Sequence, residues 1–147
     1  MKQFIAVKAV IRNEEGKVLM LRESITNPVG TNTGQLDFPG GRLEVGERWD
    51  DALRREVKEE AGLDVEIGEP FAVSEWRPIV NGEQWQVVGI FLFCSVIIQK
   101  NVRLSLDHTE ALWIDPLECI NYPLMENLRS VFDNINKLAW LALKKEE

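Results

Sequence analysis

Cysteine and histidine are scarce in this chain, with two cysteines and one histidine among 147 residues. Cys94 and Cys119 form neither a disulfide framework nor a metal-binding spacing. Both read as buried or partly buried free thiols, which suits a reducing cytoplasm. With His108 alone and no cysteine pair, zinc lacks its usual ligands. An excess of basic residues is also missing. The 17 Lys and Arg stand against 24 Asp and Glu, for a formal net charge of −7, which argues against a nucleic-acid backbone as partner. An acidic chain can still bind anionic phosphates if metal ions stand between the charges. Nothing approaches the roughly 18 consecutive apolar residues of a membrane span; the longest apolar stretch, Val87 to Ile98, is broken by Gly89 and Ser95. The start, Met1-Lys2-Gln3-Phe4-Ile5, is short and alternating, unlike a cleaved signal peptide. Repeats, low-complexity tracts and Pro/Ser-rich linkers are absent, so a single domain over 1–147 is expected.

What is present is an ordinary globular composition, 45% apolar and 28% charged, long enough to bury a core without staples. Phe4 to Ile11 is rich in Val, Ile and Ala and reads as a strand; Asn13-Glu14-Glu15-Gly16 is a turn, and Lys17 to Arg22 completes an expected hairpin. A polar loop with Pro28, Gly30 and Gly34 leads to Leu36-Asp37-Phe38-Pro39-Gly40-Gly41. Glu47 to Ala61 holds no Gly or Pro and reads as a helix stopped by Gly62. Val65 to Val80 is extended, and Asn81-Gly82 signals a tight turn into a strand from Gln84 to Ile98. Ala111 to Ile114 is another short strand. From Pro123 onward, Leu124, Leu128, Val131, Ile135, Leu138 and Leu141 recur at helical spacing, a stripe that packs on the sheet. The fold class this implies is α/β, a sandwich with helices around a mixed sheet.

The chemistry concentrates between Gly41 and Leu63. Glu56, Glu59 and Glu60 stand at i, i+3 and i+4, so their carboxylates share one helix face. That face lies beside Trp49, Ala52 and Leu53 at the border of the buried side, with Asp50, Asp51, Arg54, Arg55 and Lys58 in the more exposed sector. Solvated helices usually set Lys or Arg four residues after Glu, whereas Glu56 is followed at that distance by Glu60. Like charges at this spacing cost roughly 0.2–0.5 kcal/mol per pair in water and more when desolvated. Arg55 offsets part of this, but a divalent cation does so better. Oxygen-only ligands favour hard ions, Mg²⁺ first and Mn²⁺ as substitute. The Gly40-Gly41 pair just ahead of the helix lets backbone carbonyls or amides approach the same place.

With these residues the chain resembles the Nudix, or MutT-like, hydrolases. Their box reads here as Gly41, Glu47, Arg55-Glu56, Val57, Glu59-Glu60, Gly62 and Leu63, with every gap correct. Chance agreement is on the order of one in a billion from average residue usage. One departure is Leu36, where many relatives carry a tryptophan. The resemblance implies a Nudix-type α/β/α sandwich and a metal-dependent nucleotide pyrophosphohydrolase. Glu56, Glu59 and Glu60 would hold metal, Glu56 would also take a proton from the attacking water, and the Gly40 or Gly41 carbonyl would complete the metal shell. Arg55 would orient the glutamates, and Glu47 would support the metal site or brace the loop. A further carboxylate from a later loop is Asp107 or Glu110.

Substrate contacts are less defined by sequence. Arg22, Arg42 and Arg77 are candidates for phosphate, or surface charges. Trp76 and Trp85 flank the Asn81-Gly82 turn and are placed either to stack on a base or to pack. The resemblance puts a nucleoside triphosphate first as the small-molecule partner. ADP-ribose or another nucleotide-sugar comes second, because Pro78 stands 16 residues after Gly62. A non-catalytic nucleotide-sensing module, a homodimer and RNA-cap removal are further possibilities, the last weakened by the acidic balance.

Overall fold

The computed structural model describes residues 1–24 and 33–146, and the side chains of 140, 141 and 143–146 fall outside that description. Pro28, Gly30 and the Leu141 side chain therefore lie outside the described residues. Eight strands and two helices follow one another as β1 (Lys2–Ile11), β2 (Val18–Glu23), β3 (Leu36–Asp37), β4 (Gly40–Arg42), α1 (Trp49–Ala61), β5 (Val65–Trp76), β6 (Ile79–Val80), β7 (Glu83–Val96), β8 (His108–Ile114) and α2 (Arg129–Glu146), with short 3₁₀ turns at Pro116–Asn121 and Glu126–Leu128. The larger sheet runs β4-β1-β7-β5, with β6 folded back on β7. It is mixed: β1 and β7 are parallel from Lys2↔Trp85 to Ile11↔Cys94, and the other pairs are antiparallel. A second sheet, antiparallel throughout, runs β3-β2-β8.

The hairpin expected from the first two strands does not form. Asn13 and Lys17 close the turn with a 3.0 Å backbone bond, and Arg12 bridges Val18, but β1 and β2 then part into different sheets. The reason lies in their neighbours. Residues 6–11 are buried on both faces, and both edges of β1 are taken, by β4 and by β7. β2 is likewise central in its own sheet, between β3 and β8. A strand with two filled edges has none left for its sequence neighbour.

Helices cover the sheets from two sides, giving the α/β/α layering. On one side α1 sets Ala52, Leu53, Val57 and Ala61 against Val7, Ala9, Leu19 and Leu92. On the other, Leu128, Val131, Phe132 and Ile135 pack on Val10, Met20, Phe38 and Phe91. Leu138 leaves the stripe and is exposed. Helix α1 begins at Trp49 rather than Glu47, carries Asp50 and Asp51 in its first turn, and stops at Gly62 with φ 69°. Acidic residues there suit the helix dipole, and the left-handed stop suits glycine. Trp49 is exposed rather than at the border of the core. Asn81 (φ 51°) and Gly82 (φ 79°) form the tight turn that the sequence signals. Among the described residues no helix is long and apolar enough to cross a membrane.

Candidate active site

Where β1, β3, β4 and α1 converge below the β5–β7 hairpin, the surface opens into a cavity of about 310 Å³. Its floor is acidic: Glu23, Asp37, Glu56, Glu60 and Asp107 all line it. Glu56 and Glu60 arrive there because one helical turn separates them on α1. The floor fits tightly around its glycines. A Cβ on Gly41 would stand 2.6 Å from the Glu56 carboxyl carbon, and one on Gly40 would stand 2.2 Å from the Val7 carbonyl. Gly40 also adopts φ 141°, open to glycine and rarely to other residues. Its amide donates to Glu60 Oε2 at 3.1 Å.

Arg55 organises the helix side of the floor. Its Nε and Nη2 donate to the two carboxylate oxygens of Glu47, at 2.8 and 3.0 Å, and its Nη1 donates to Glu56 at 3.0 Å. This fork joins the loop before α1 to the carboxylate in the cavity, and the two-point geometry suits guanidinium better than ammonium. Hydrogen bonds from Arg55 hold the Glu47 carboxyl below its ordinary range. Burial has the opposite effect on the other two acids. It raises Glu56 despite the pull of Arg55, and it pushes Glu60 up to about 8, against the opposing influence of Lys8 and the Gly40 amide. Glu60 is half-buried as a residue. Two desolvated carboxylates one turn apart are a place where added positive charge is strongly favoured.

The wall above the floor has a different character. Trp76, Pro78, Val80, Trp85 and Val87 form it. The Trp76 ring lies directly over β7: a Cβ on Gly89 would come within 2.5 Å of its Cζ3. Arg42 stands at the rim, its guanidinium 4.5 Å from the Phe4 ring centre and 4.7 Å from that of Trp85.

The structure thus brings together Glu56, Glu60, Gly40, Gly41, Asp107, Arg42 and Trp76, with Arg55 behind them. Other candidates point elsewhere. Glu59 is largely exposed and accepts from Arg55 at 3.4 Å instead of facing the cavity. Among the described residues no three acidic, His or Cys side chains gather into a ready metal cluster. Glu110 is tied to Arg22 at 2.9 Å, and Arg22 also donates to the Gly34 carbonyl at 2.8 Å; neither side chain lines the cavity. Arg77 is paired with Glu75 at 2.7 Å, also outside it. His108 has a nearly buried side chain 3.9 Å from Glu23, and burial lowers its pKa. Lys8, Glu23 and Asp37 were not marked by motif. Lys8 had a sequence signal all the same: it is the one charged residue in the apolar run from Phe4 to Ile11.

An all-oxygen donor set, an excess of negative charge and a glycine cradle beside Glu56 fit a hard divalent cation whose remaining ligands are water. They do not fit a soft or nitrogen-seeking metal.

Comparison with known proteins agrees with this geometry. A family model described as NUDIX domain matches residues 2–135. The chain is similar to the nucleoside triphosphatase NudI of Escherichia coli, 28% identical over 130 residues, spanning 84% of this chain and 90% of that protein. It superposes on the MutT protein of Methanosarcina mazei Go1 with a TM-score of 0.82 at 27% identity, covering 94% and 96% of the two chains. An Ap4A hydrolase from C. elegans shares the fold, with a TM-score of 0.70 at 23% identity over 95% of this chain and 98% of that one.

Proposed function

The chain belongs to the Nudix hydrolase family, and from that membership we propose that it hydrolyses a nucleoside triphosphate to a nucleoside monophosphate and pyrophosphate. The observation that carries this reading is the division of one cavity into an acidic floor and an aromatic wall. A polyphosphate needs the first, with cations between the charges, and a nucleobase needs the second. Nudix hydrolases generally require a divalent metal; for this chain Mg²⁺ is the ion proposed, with Mn²⁺ as substitute. Glu56, Glu60 and a Gly40 or Gly41 carbonyl would hold it, with Glu59 joining only after leaving Arg55. A divalent ion at this place supplies charge neutralisation of the diphosphate and eases deprotonation of water.

The protein's own groups do the rest. Glu56 accepts the proton as the water oxygen attacks phosphorus and the phosphoanhydride P–O bond breaks, its electron pair leaving with pyrophosphate. Arg55 fixes the direction of that carboxylate, and Glu47 fixes Arg55. Asp107 reaches the floor from the loop before β8 and is the second candidate base. Trp76 receives the base by stacking, and Arg42 stands at the rim for a phosphate oxygen. Pro78, beside Trp76 on the wall, favours ADP-ribose or another nucleotide-sugar as the second reading.

The experiment is pyrophosphate and phosphate release, with Mg²⁺ and with EDTA, across triphosphates, ADP-ribose and nucleotide-sugars. Metal-dependent pyrophosphate release from a triphosphate is expected. Preferential cleavage of ADP-ribose would replace the first reading with the second, and a panel without turnover would overturn both.

A further inference from the structure

The one buried cation that lines the cavity among the described residues has no part in the steps above. Lys8 comes from the middle of β1, is 6% exposed, and lines the cavity where floor and wall meet. Its Nζ donates to Asp37 Oδ2 at 2.8 Å and to the Phe38 carbonyl at 3.2 Å. Burial opposes its charge, but Asp37, Glu60 and Glu23 outweigh that and hold it as an ammonium. Burying such a pair is a poor way to gain stability, since apolar replacements of similar volume are often neutral or better. The position calls for another reason.

Donor arithmetic offers one. An ammonium carries three N–H donors, and among the described residues two of Lys8's are taken. The Nζ lies 2.8 Å from an Asp37 carboxylate oxygen and 6.0 Å from the centre of the Trp76 ring, the group placed to receive a base. A phosphate entering above this acidic floor is repelled by the carboxylates that are ionised there. A fixed cation at the near edge of the floor answers that repulsion for the phosphate that follows the sugar.

We propose that Lys8 donates a hydrogen bond to the substrate phosphate nearest the nucleoside, with Asp37 as the residue that positions its ammonium. The assignment rests on the proposed reading of the cavity as a nucleotide site.

The test uses the full chain with Mg²⁺ and the four common nucleoside monophosphates as probes, because these are products and do not turn over. In protein labelled at lysine ¹³Cε, adding a monophosphate is expected to shift the Lys8 resonance, assigned by its loss in Lys8→Met. Calorimetry of Lys8→Met is expected to show monophosphate binding weakened about tenfold or more. Mn²⁺ binding should be undiminished, since a cation has been removed from beside the carboxylates. Asp37→Asn, which loosens the anchor and keeps the ammonium, is expected to lose less. Monophosphate binding within twofold of the unmodified protein, or a parallel fall in Mn²⁺ binding, overturns the proposal. If Lys8→Met does not fold, Lys8→Arg supplies the assignment, and an unshifted Lys8 resonance overturns the proposal by itself. Turnover separates the two readings. A chain that hydrolyses its substrate with Lys8 unshifted keeps the hydrolase assignment and loses this contact. A chain without turnover whose Lys8 shifts keeps the phosphate contact and loses the hydrolase assignment.

Discussion

The floor and the wall of the cavity are built on different physics. The floor is a network of charged hydrogen bonds in which key carboxylates have named partners: Glu56 with Arg55, Glu60 with the Gly40 amide, Asp37 with Lys8. Its glycines leave no room for a single added carbon. The wall is an apolar surface of indole, proline and valine, shaped by packing and with no comparable chain of charge. In a low-dielectric network a displaced group costs a great deal, whereas an apolar surface loses contact area roughly in proportion to what is removed. On the proposed reading, the rate of the chemical step depends on the floor and the capture of the substrate depends on the wall.

Glu56→Gln is the strongest way to break that division. It keeps the shape and the Arg55 contact but cannot accept a proton. A fall in kcat of about 10²–10⁴-fold is expected, with KM changed far less. Pyrophosphate release under saturating substrate reads it, and unchanged turnover would move the base to Asp107. Gly41→Ala is the next largest. Its Cβ would meet the Glu56 carboxyl at 2.6 Å, so that carboxylate must move. Activity and Mn²⁺ affinity should each fall about 10–100-fold, in a protein whose melting temperature shows that it still folds.

How much could be read from the sequence follows the same line. Glu56 and Glu60 were legible because helical spacing is arithmetic: they must share a face wherever α1 packs. The strand pairing was not legible in that way. Residues 2–23 look like a hairpin locally, and only the filled edges of β1 and β2 show otherwise. Glu59 also escaped the spacing argument, because it turns to Arg55. Of the two loop carboxylates, Asp107 faces the cavity and Glu110 faces Arg22, a distinction set by the register of β8 on β2. Lys8 and Asp37 meet only through tertiary structure, 29 residues apart, and no local pattern pairs them.

A wall variant is the converse of Glu56→Gln. Trp76→Ala removes the stacking surface, which is expected to raise KM by about 1–3 kcal/mol of lost binding while kcat changes little. Gly89→Ala sharpens the point, because it keeps the indole and displaces it: the new Cβ would stand 2.5 Å from the ring. If both variants raise KM alike, the position of Trp76 matters as well as its presence. If either lowered kcat as much as Glu56→Gln, the division between capture and chemistry would fail.

The smallest effect separates the two regions through pH. Burial lifts Glu60 to about 8, whereas an unfolded glutamate titrates near 4.3. Between those values the folded chain binds more protons than the unfolded one, so metal-free stability falls as pH rises. His108 acts in the opposite sense lower down. Its folded pKa is depressed by burial, so its contribution makes stability rise with pH up to about 6.5, the value for an unfolded histidine. The window from about 6.5 to 8 therefore reports on Glu60. In EDTA the melting temperature should decline across that window, by about 2–4 °C for each kcal/mol involved. Glu60→Gln should flatten most of the decline, and Trp76→Ala should leave the slope unchanged while lowering the curve as a whole. Mg²⁺ should flatten it too, by favouring the ionised carboxylates in the folded state. A slope that survived Glu60→Gln would place the titration outside the floor.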